Sequence, residues 1–332
     1  MVQMTRRERI VAALQGKPVD RMPVNFWRHF PIDDQNAESL AARTIEYRNR
    51  FDFDFIKVTP SSTYCIDDYG AKHAYKGAPI GERTYLERII KKPEDWDRIE
   101  PLDVRRGTYG RTLRALRIVV DKKGDDTPVV QTMFNPTALA QRLVGDDAYV
   151  AHIRHYPEKL ERAIKALTET CVRFAKAAID EGADGIFLST FAASYDVMSP
   201  AEYRKICRPG DLAVFKAAAK GWFNILHLHS QHPTFAKIAD YPIQVVNWHD
   251  RTAGPSLAEA AKIFPGCLCA GVEQYSLLHF GTPAEVTAQV HDAIKQMKGR
   301  RLIVAAGCTY PLTVPEGNLI AARKAVETYK TK

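Results

Sequence analysis

Several things are scarce in this chain, and each scarcity narrows what it can be. Cysteine is sparse: Cys65, Cys171, Cys207, Cys267, Cys269 and Cys308 are scattered through 332 residues. That spacing excludes a disulfide framework and leaves reduced thiols available to a metal. Long apolar runs are missing, so nothing reads as a bilayer span, and Met4-Thr5-Arg6-Arg7 leads into a charged amphipathic segment rather than a signal-peptide core. A cytoplasmic protein with no membrane partner is expected. No glycine-rich dinucleotide fingerprint follows any candidate strand. Acidic residues are in deficit, 39 against 47 basic ones, giving a net charge of +8 that steers acidic or polyanionic partners without specifying a fold. The densest basic stretch, Arg105 to Arg117, spreads its arginines around a helix, as a solvated face does, and no nucleic-acid partner is expected.

The hydrophobic share of 45% and charged share of 26% are those of a globular enzyme. Thr5-Arg6-Arg7-Glu8 is a capping box that opens an N-terminal helix ending near Gly16. Eight short apolar runs then follow, at about 22–27, 54–58, 128–133, 183–189, 223–229, 244–248, 267–272 and 302–306. Helical patterns separate most of them, including 37–51, 107–122 and 157–180 and those capped by Ser199-Pro200-Ala201-Glu202 and Thr282-Pro283-Ala284-Glu285. Nearly continuous apolar strands are expected where both faces are covered. Eight strands alternating with helices predict a single-domain α/β chain, a TIM-type (β/α)8 barrel spanning 1–332. Residues 60–105 break the rhythm and are expected to form an inserted, hairpin-rich excursion over the barrel top.

The chemistry gathers at Asn224-Ile225-Leu226-His227-Leu228-His229-Ser230. Side chains at i and i+2 of a strand share a face, so a strand ending here aims His227 and His229 at one point. Leu302 to Cys308 is a second apolar run with its polar group at the same relative place. If both runs are parallel barrel strands, the three groups meet at the carboxyl ends, where such folds keep their chemistry. His232 is a spare ligand. Cys267 and Cys269 begin their strand and are expected in the core, where Trp27, Trp222 and Trp248 also pack.

In order along nearly the whole chain, these features resemble the uroporphyrinogen decarboxylase superfamily. The resemblance rests on Arg21 to Val24, Gly182-Ala183-Asp184-Gly185, Ser199-Pro200 with Tyr203, the His227 strand, Gly281-Thr282-Pro283 with Glu285-Val286, Ala306-Gly307-Cys308, and Pro315-Glu316 with Asn318-Leu319. It implies a single TIM-like barrel with one of two chemistries: cofactor-free decarboxylation of uroporphyrinogen, or zinc-dependent methyl transfer between a corrinoid and a small acceptor. The decarboxylases carry a second arginine after the first strand; here Arg28 is followed by His29-Phe30-Pro31-Ile32. Lys57 stands near the place of their pyrrole-binding aspartate, and a cation cannot accept those N–H bonds. Their tyrosine of the third βα region falls near Gln141, and Cys308 replaces their late histidine.

The methyltransferase branch carries His-Xaa-Cys on the fifth strand and Cys after the eighth. His227 and Cys308 match, and His229 stands for the first Cys. The resemblance therefore implies zinc held by His227, His229 and Cys308 with one exchangeable position, a corrinoid carried by a partner protein, and a small-molecule methyl donor or acceptor. With one thiolate fewer at the metal, the acceptor is expected to differ from the usual thiol. Asp250 and Glu273, following the sixth and seventh strands, are candidates to orient a metal-bound imidazole. Arg28 and Lys57 are candidates to grip substrate. The alternatives are the decarboxylase itself, a metal-dependent hydrolase opened by the His-Xaa-His pattern, and a non-catalytic corrinoid-handling protein.

Overall fold

A computed structural model describes residues 3–329. Nine strands occur among them: β1 (Ile56–Val58), β2 (Lys72–Ala74), β3 (Thr84–Glu87), β4 (Val129–Phe134), β5 (Gly185–Thr190), β6 (Ile225–Leu228), β7 (Val245–Trp248), β8 (Cys267–Val272) and β9 (Leu302–Ala306). Seven of them form one parallel sheet in the order β1-β4-β5-β6-β7-β8-β9. Every residue of those seven is buried, which explains why each is mostly apolar rather than alternating, with polar side chains such as Lys57, Gln131, His227 and Asn247 buried among the apolar ones. Helices cross between successive strands, among them Gly107–Lys122, Pro157–Asp180 and Pro283–Gln296. The result is an α/β, TIM-like fold with all seven carboxyl ends on one face.

The run at 22–27 differs from its expected strand: it is reduced to Val24, bridged in parallel to Val304 of β9. Asn25 N donates to Val304 O at 3.0 Å and Val304 N to Pro23 O at 2.8 Å. On the other side Asp54 N donates to Val24 O at 3.0 Å, so Val24 connects the two ends of the sheet and curls it. The ladder stops there because the Asp54 carboxylate takes the Val24 N–H at 2.8 Å, so that donor is not available to a backbone carbonyl. Asp54 is fully buried and is held by Arg9 and Arg21, each at 2.7 Å. A carboxylate without water needs such partners.

The 60–105 excursion contains the antiparallel hairpin β2–β3. Asp68 ties it to the next helix by accepting the N–H groups of Thr108 at 2.9 Å and Tyr109 at 3.1 Å. Gly107 enters that helix at φ +56 with the Asp68 carboxylate where a Cβ would stand, so a larger residue would break the cap. The capping boxes at Thr5, Ser199 and Thr282 form as their sequences indicate. The basic stretch is a paired surface: Arg105 and Arg117 meet Glu181, and Arg114 meets Glu38. No helix among the described residues is long and apolar enough to cross a membrane.

Candidate metal centre

His227 lies inside β6, in register with Ser189 of β5 and Asn247 of β7. Asn247 is fully buried, and its amide nitrogen donates to Cys269 O at 2.6 Å and Ala306 O at 3.0 Å. With the nitrogen committed to two carbonyls, its Oδ1 must face His227, whose Nδ1 is 2.6 Å away. An amide oxygen only accepts, so His227 carries its proton on Nδ1 and turns the lone pair of Nε2 outward.

That lone pair points into a cluster. His227 Nε2 is 3.4 Å from His229 Nδ1, and Cys308 Sγ is 3.4 Å from the same atom. His249 completes the group: one ligand atom from each of His227, His229, His249 and Cys308 lies within 4.8 Å of the others. The strands produce this convergence. Leu228 pairs with Trp248, so the next residue on each strand, His229 and His249, emerge side by side. Cys308 lies two residues beyond the end of β9. Gln274 Nε2 is 3.0 Å from His249 Nδ1 and fixes that ring.

Electrostatics inside the cluster follow its burial. Desolvation works to raise the Cys308 thiol, but the His229 and His227 imidazoles outweigh it and hold it well below the ordinary thiol range. Burial, the larger effect, pushes His227 below the usual imidazole value. His229 is desolvated too, yet the Cys308 charge draws it upward. His227 with its fixed tautomer, two further imidazoles and a thiolate make up the donor set that zinc takes in four-coordinate sites, and the side chains present fit that ion.

A narrow cavity of about 40 Å³ opens on the cluster. Phe187 stacks on His227 with ring centroids 5.4 Å apart, and Phe191 covers His229 at 4.4 Å. Lys57 reaches this cavity. Its amine lies 4.5 Å over Phe187, bonds only Thr59 Oγ1 at 3.2 Å among the described residues, and is lowered by burial to about 7. Two charged side chains not anticipated from the sequence also line it. Arg142 packs over Phe134 at 4.1 Å, donates to Tyr85 at 2.8 Å and leaves its Nε without a partner among the described residues. Glu82, from the hairpin excursion, makes no hydrogen bond among the described residues.

The other sequence candidates lie elsewhere. Glu273 does not orient an imidazole, because its carboxylate accepts the N–H groups of Tyr275, Ser276 and Leu277 at 2.7–2.8 Å, capping the short helix that follows. Asp250 does not either: it accepts the Gly271 N–H at 3.0 Å and pairs with Arg251 at 3.2 Å, and burial raises it to about 6. The imidazoles are positioned by two amides instead. Arg28 donates to the His29 and Leu312 carbonyls and faces a separate outer groove. His232 is exposed and paired with Asp196 at 2.6 Å. Cys267 and Cys269 are fully buried in β8. A signal for His249 was present in the sequence: Trp248-His249 repeats the apolar-then-imidazole ending of Leu228-His229.

A family model described as uroporphyrinogen decarboxylase (URO-D) matches residues 5–329, and the chain belongs to that family. Within it, a methylcobamide:CoM methyltransferase, MtbA of Methanosarcina acetivorans, is 23% identical over 99% of this chain and 100% of its own length. A uroporphyrinogen decarboxylase of Mycobacterium sp. (strain KMS) is 26% identical over 67% of this chain and 68% of its own. A solved structure of a methyltransferase from Methanosarcina mazei superposes with TM-score 0.85 over 98% of this chain and 99% of its own at 22% identity, which shows the shared fold.

Proposed function

We propose that this chain is a zinc-dependent methyltransferase that moves a methyl group between a corrinoid, carried by a partner protein, and a small acceptor. The observation that carries the reading is the convergence of His227, His229, His249 and Cys308 at the strand carboxyl ends. A cofactor-free decarboxylase has no use for a thiol set between imidazoles. The match to methylcobamide:CoM methyltransferases over the full length of both chains supports the same choice. We read the curled sheet and the Val24 connection as an eight-stave barrel in one domain with 60–105 inserted. Six unpaired thiols fit a reducing compartment, the cytoplasm.

His227, His229, His249 and Cys308 would hold the ion, and one of the four would give way where an acceptor binds. Zinc, when bound, supplies a Lewis acid that lowers the pKa of an acceptor's thiol or hydroxyl, and the corrinoid supplies the methyl group. The protein's own part is orientation and exclusion of water. Asn247 and Gln274 fix the imidazoles, and Phe187 and Phe191 wall the cavity. Arg142, a cation with no carboxylate bound to it among the described residues, and Lys57, which an anion beside it would keep protonated, suit an acceptor that bears an anionic group.

The test is loss of the methylcobalamin spectrum on incubation with a panel of thiol and hydroxyl acceptors, using protein as purified, chelator-treated protein and protein with zinc restored. Transfer that disappears on chelation, returns with zinc and is absent in Cys308→Ala is expected. Zinc-independent release of carbon dioxide from uroporphyrinogen, with no methyl transfer, would overturn the reading in favour of the decarboxylase.

A further inference from the structure

A groove of about 510 Å³, sharing no lining residue with the metal cavity, lies between the Ala37–Phe51 helix and the 310–319 segment. That size is ordinary for a small-molecule site. Its walls are apolar and aromatic, from Phe30, Phe51, Leu312 and Val314. Two polar features face into it. The first is Arg28, which donates to two backbone carbonyls at 3.2–3.3 Å and has no carboxylate partner among the described residues. The second is a pair of phenols: Tyr47 and Tyr310 share one hydrogen bond, and neither hydroxyl has another partner among the described residues.

Two hydroxyls joined by one bond have two protons and use one of them, so an O–H remains free to donate. Burial holds both phenols protonated, and the Arg28 charge is close enough to act on both in the opposite sense. The groove's other charges are already matched at its rim, Arg43 with Asp33 and Glu46, and Arg50 with Glu316. Those side chains are largely exposed and screened by water, whereas Arg28 is half-buried against Phe30. A guanidinium with N–H groups to spare and a hydroxyl donor line one groove with no carboxylate acceptor among the described residues, inside apolar walls.

We propose that this groove is a second binding site, for a small amphipathic carboxylate whose anionic head is taken by Arg28 and the Tyr47–Tyr310 pair and whose apolar body lies against Phe30, Phe51 and Leu312. The donors match a carboxylate, which accepts from a guanidinium and a hydroxyl together. The rings and aliphatic groups match an aryl or branched tail. This site is independent of the metal reading, since none of the four clustered ligands lines it.

Isothermal titration of the full chain with 3-phenylpropionate and with its neutral amide tests this. Saturable 1:1 binding of the acid, at least tenfold weaker for the amide, is expected. Arg28→Gln should weaken the acid at least tenfold and the Tyr47→Phe/Tyr310→Phe double variant severalfold, while Cys308→Ser leaves it unchanged. Equal binding of acid and amide, no saturable binding of the acid, or loss in Cys308→Ser with Arg28→Gln unaffected would each overturn it. The comparison of acid with amide uses wild-type protein and stands even if a variant misfolds.

Discussion

Asn247 Oδ1 accepts the His227 Nδ1–H at 2.6 Å while its amide nitrogen reaches two strands, at Cys269 O and Ala306 O. One buried side chain therefore joins β7 to β8 and β9 and fixes which nitrogen of His227 is free. Asn247→Leu removes both functions. Leaving the two carbonyls and one imidazole N–H unpaired costs on the order of 1–3 kcal/mol each where water cannot enter. Zinc affinity should drop roughly 10–100-fold, as for other lost supports of a metal ligand. Urea unfolding and chelator competition read the two effects separately.

Glu273 gives the opposite pattern. Because its carboxylate caps a helix start rather than supporting an imidazole, Glu273→Gln should lower stability by about 1 kcal/mol and leave zinc content unchanged. Elemental analysis beside thermal unfolding checks both.

Lys57 is buried over an aromatic ring, and burial lowers it from 10.5 to about 7. Between those values the unfolded chain holds a proton that the folded chain releases, so stability from this group rises with pH across the window. Lys57→Met should therefore stabilise the protein most below pH 7, by up to about 5 kcal/mol less what the ring returns to the ammonium. The gain should shrink as pH approaches 10.5. Unfolding midpoints at pH 6 and pH 9.5 for both proteins decide it.

Asp211, fully buried beside the π-turn of Tyr203–Cys207, runs the other way. Burial raises it from 3.8 to about 6, against the hydrogen bonds that Asn135 donates at 2.8 Å and Tyr241 at 3.1 Å. The folded chain holds this proton more tightly than the unfolded one, so its contribution is present at low pH and lost as pH rises through about 6. Whatever its offset at pH 4, Asp211→Asn should gain on wild type by about 2–3 kcal/mol between pH 4 and pH 7.5. Parallel urea titrations across that range would show it.

Much of the architecture was legible in local pattern. Seven of the eight apolar runs are strands of the parallel sheet because continuous burial leaves a continuous apolar signature. The eighth, around Val24, shortens because the Asp54 carboxylate takes its N–H, a long-range contact with no local trace. The histidine pair was legible because strand geometry alone puts i and i+2 on one face. His249, Asn247 and Gln274 depend on the register between strands, and Arg142 and Glu82 on how a hairpin and a helix fold over the mouth. The loop carboxylates Asp250 and Glu273 were misleading for a related reason. Backbone N–H groups beside them, at Gly271 and at Tyr275 to Leu277, claim their oxygens first.

The central claim is that four side chains from three strand ends surround one ion. Zinc-edge X-ray absorption on the purified protein, with its zinc content measured on the same sample, tests it most directly. The account predicts about one zinc per chain with a single sulfur near 2.3 Å and nitrogen ligands near 2.0–2.1 Å, the sulfur shell vanishing in Cys308→Ala. Wild-type protein that holds no more zinc than Cys308→Ala, or zinc with no sulfur neighbour, would contradict it.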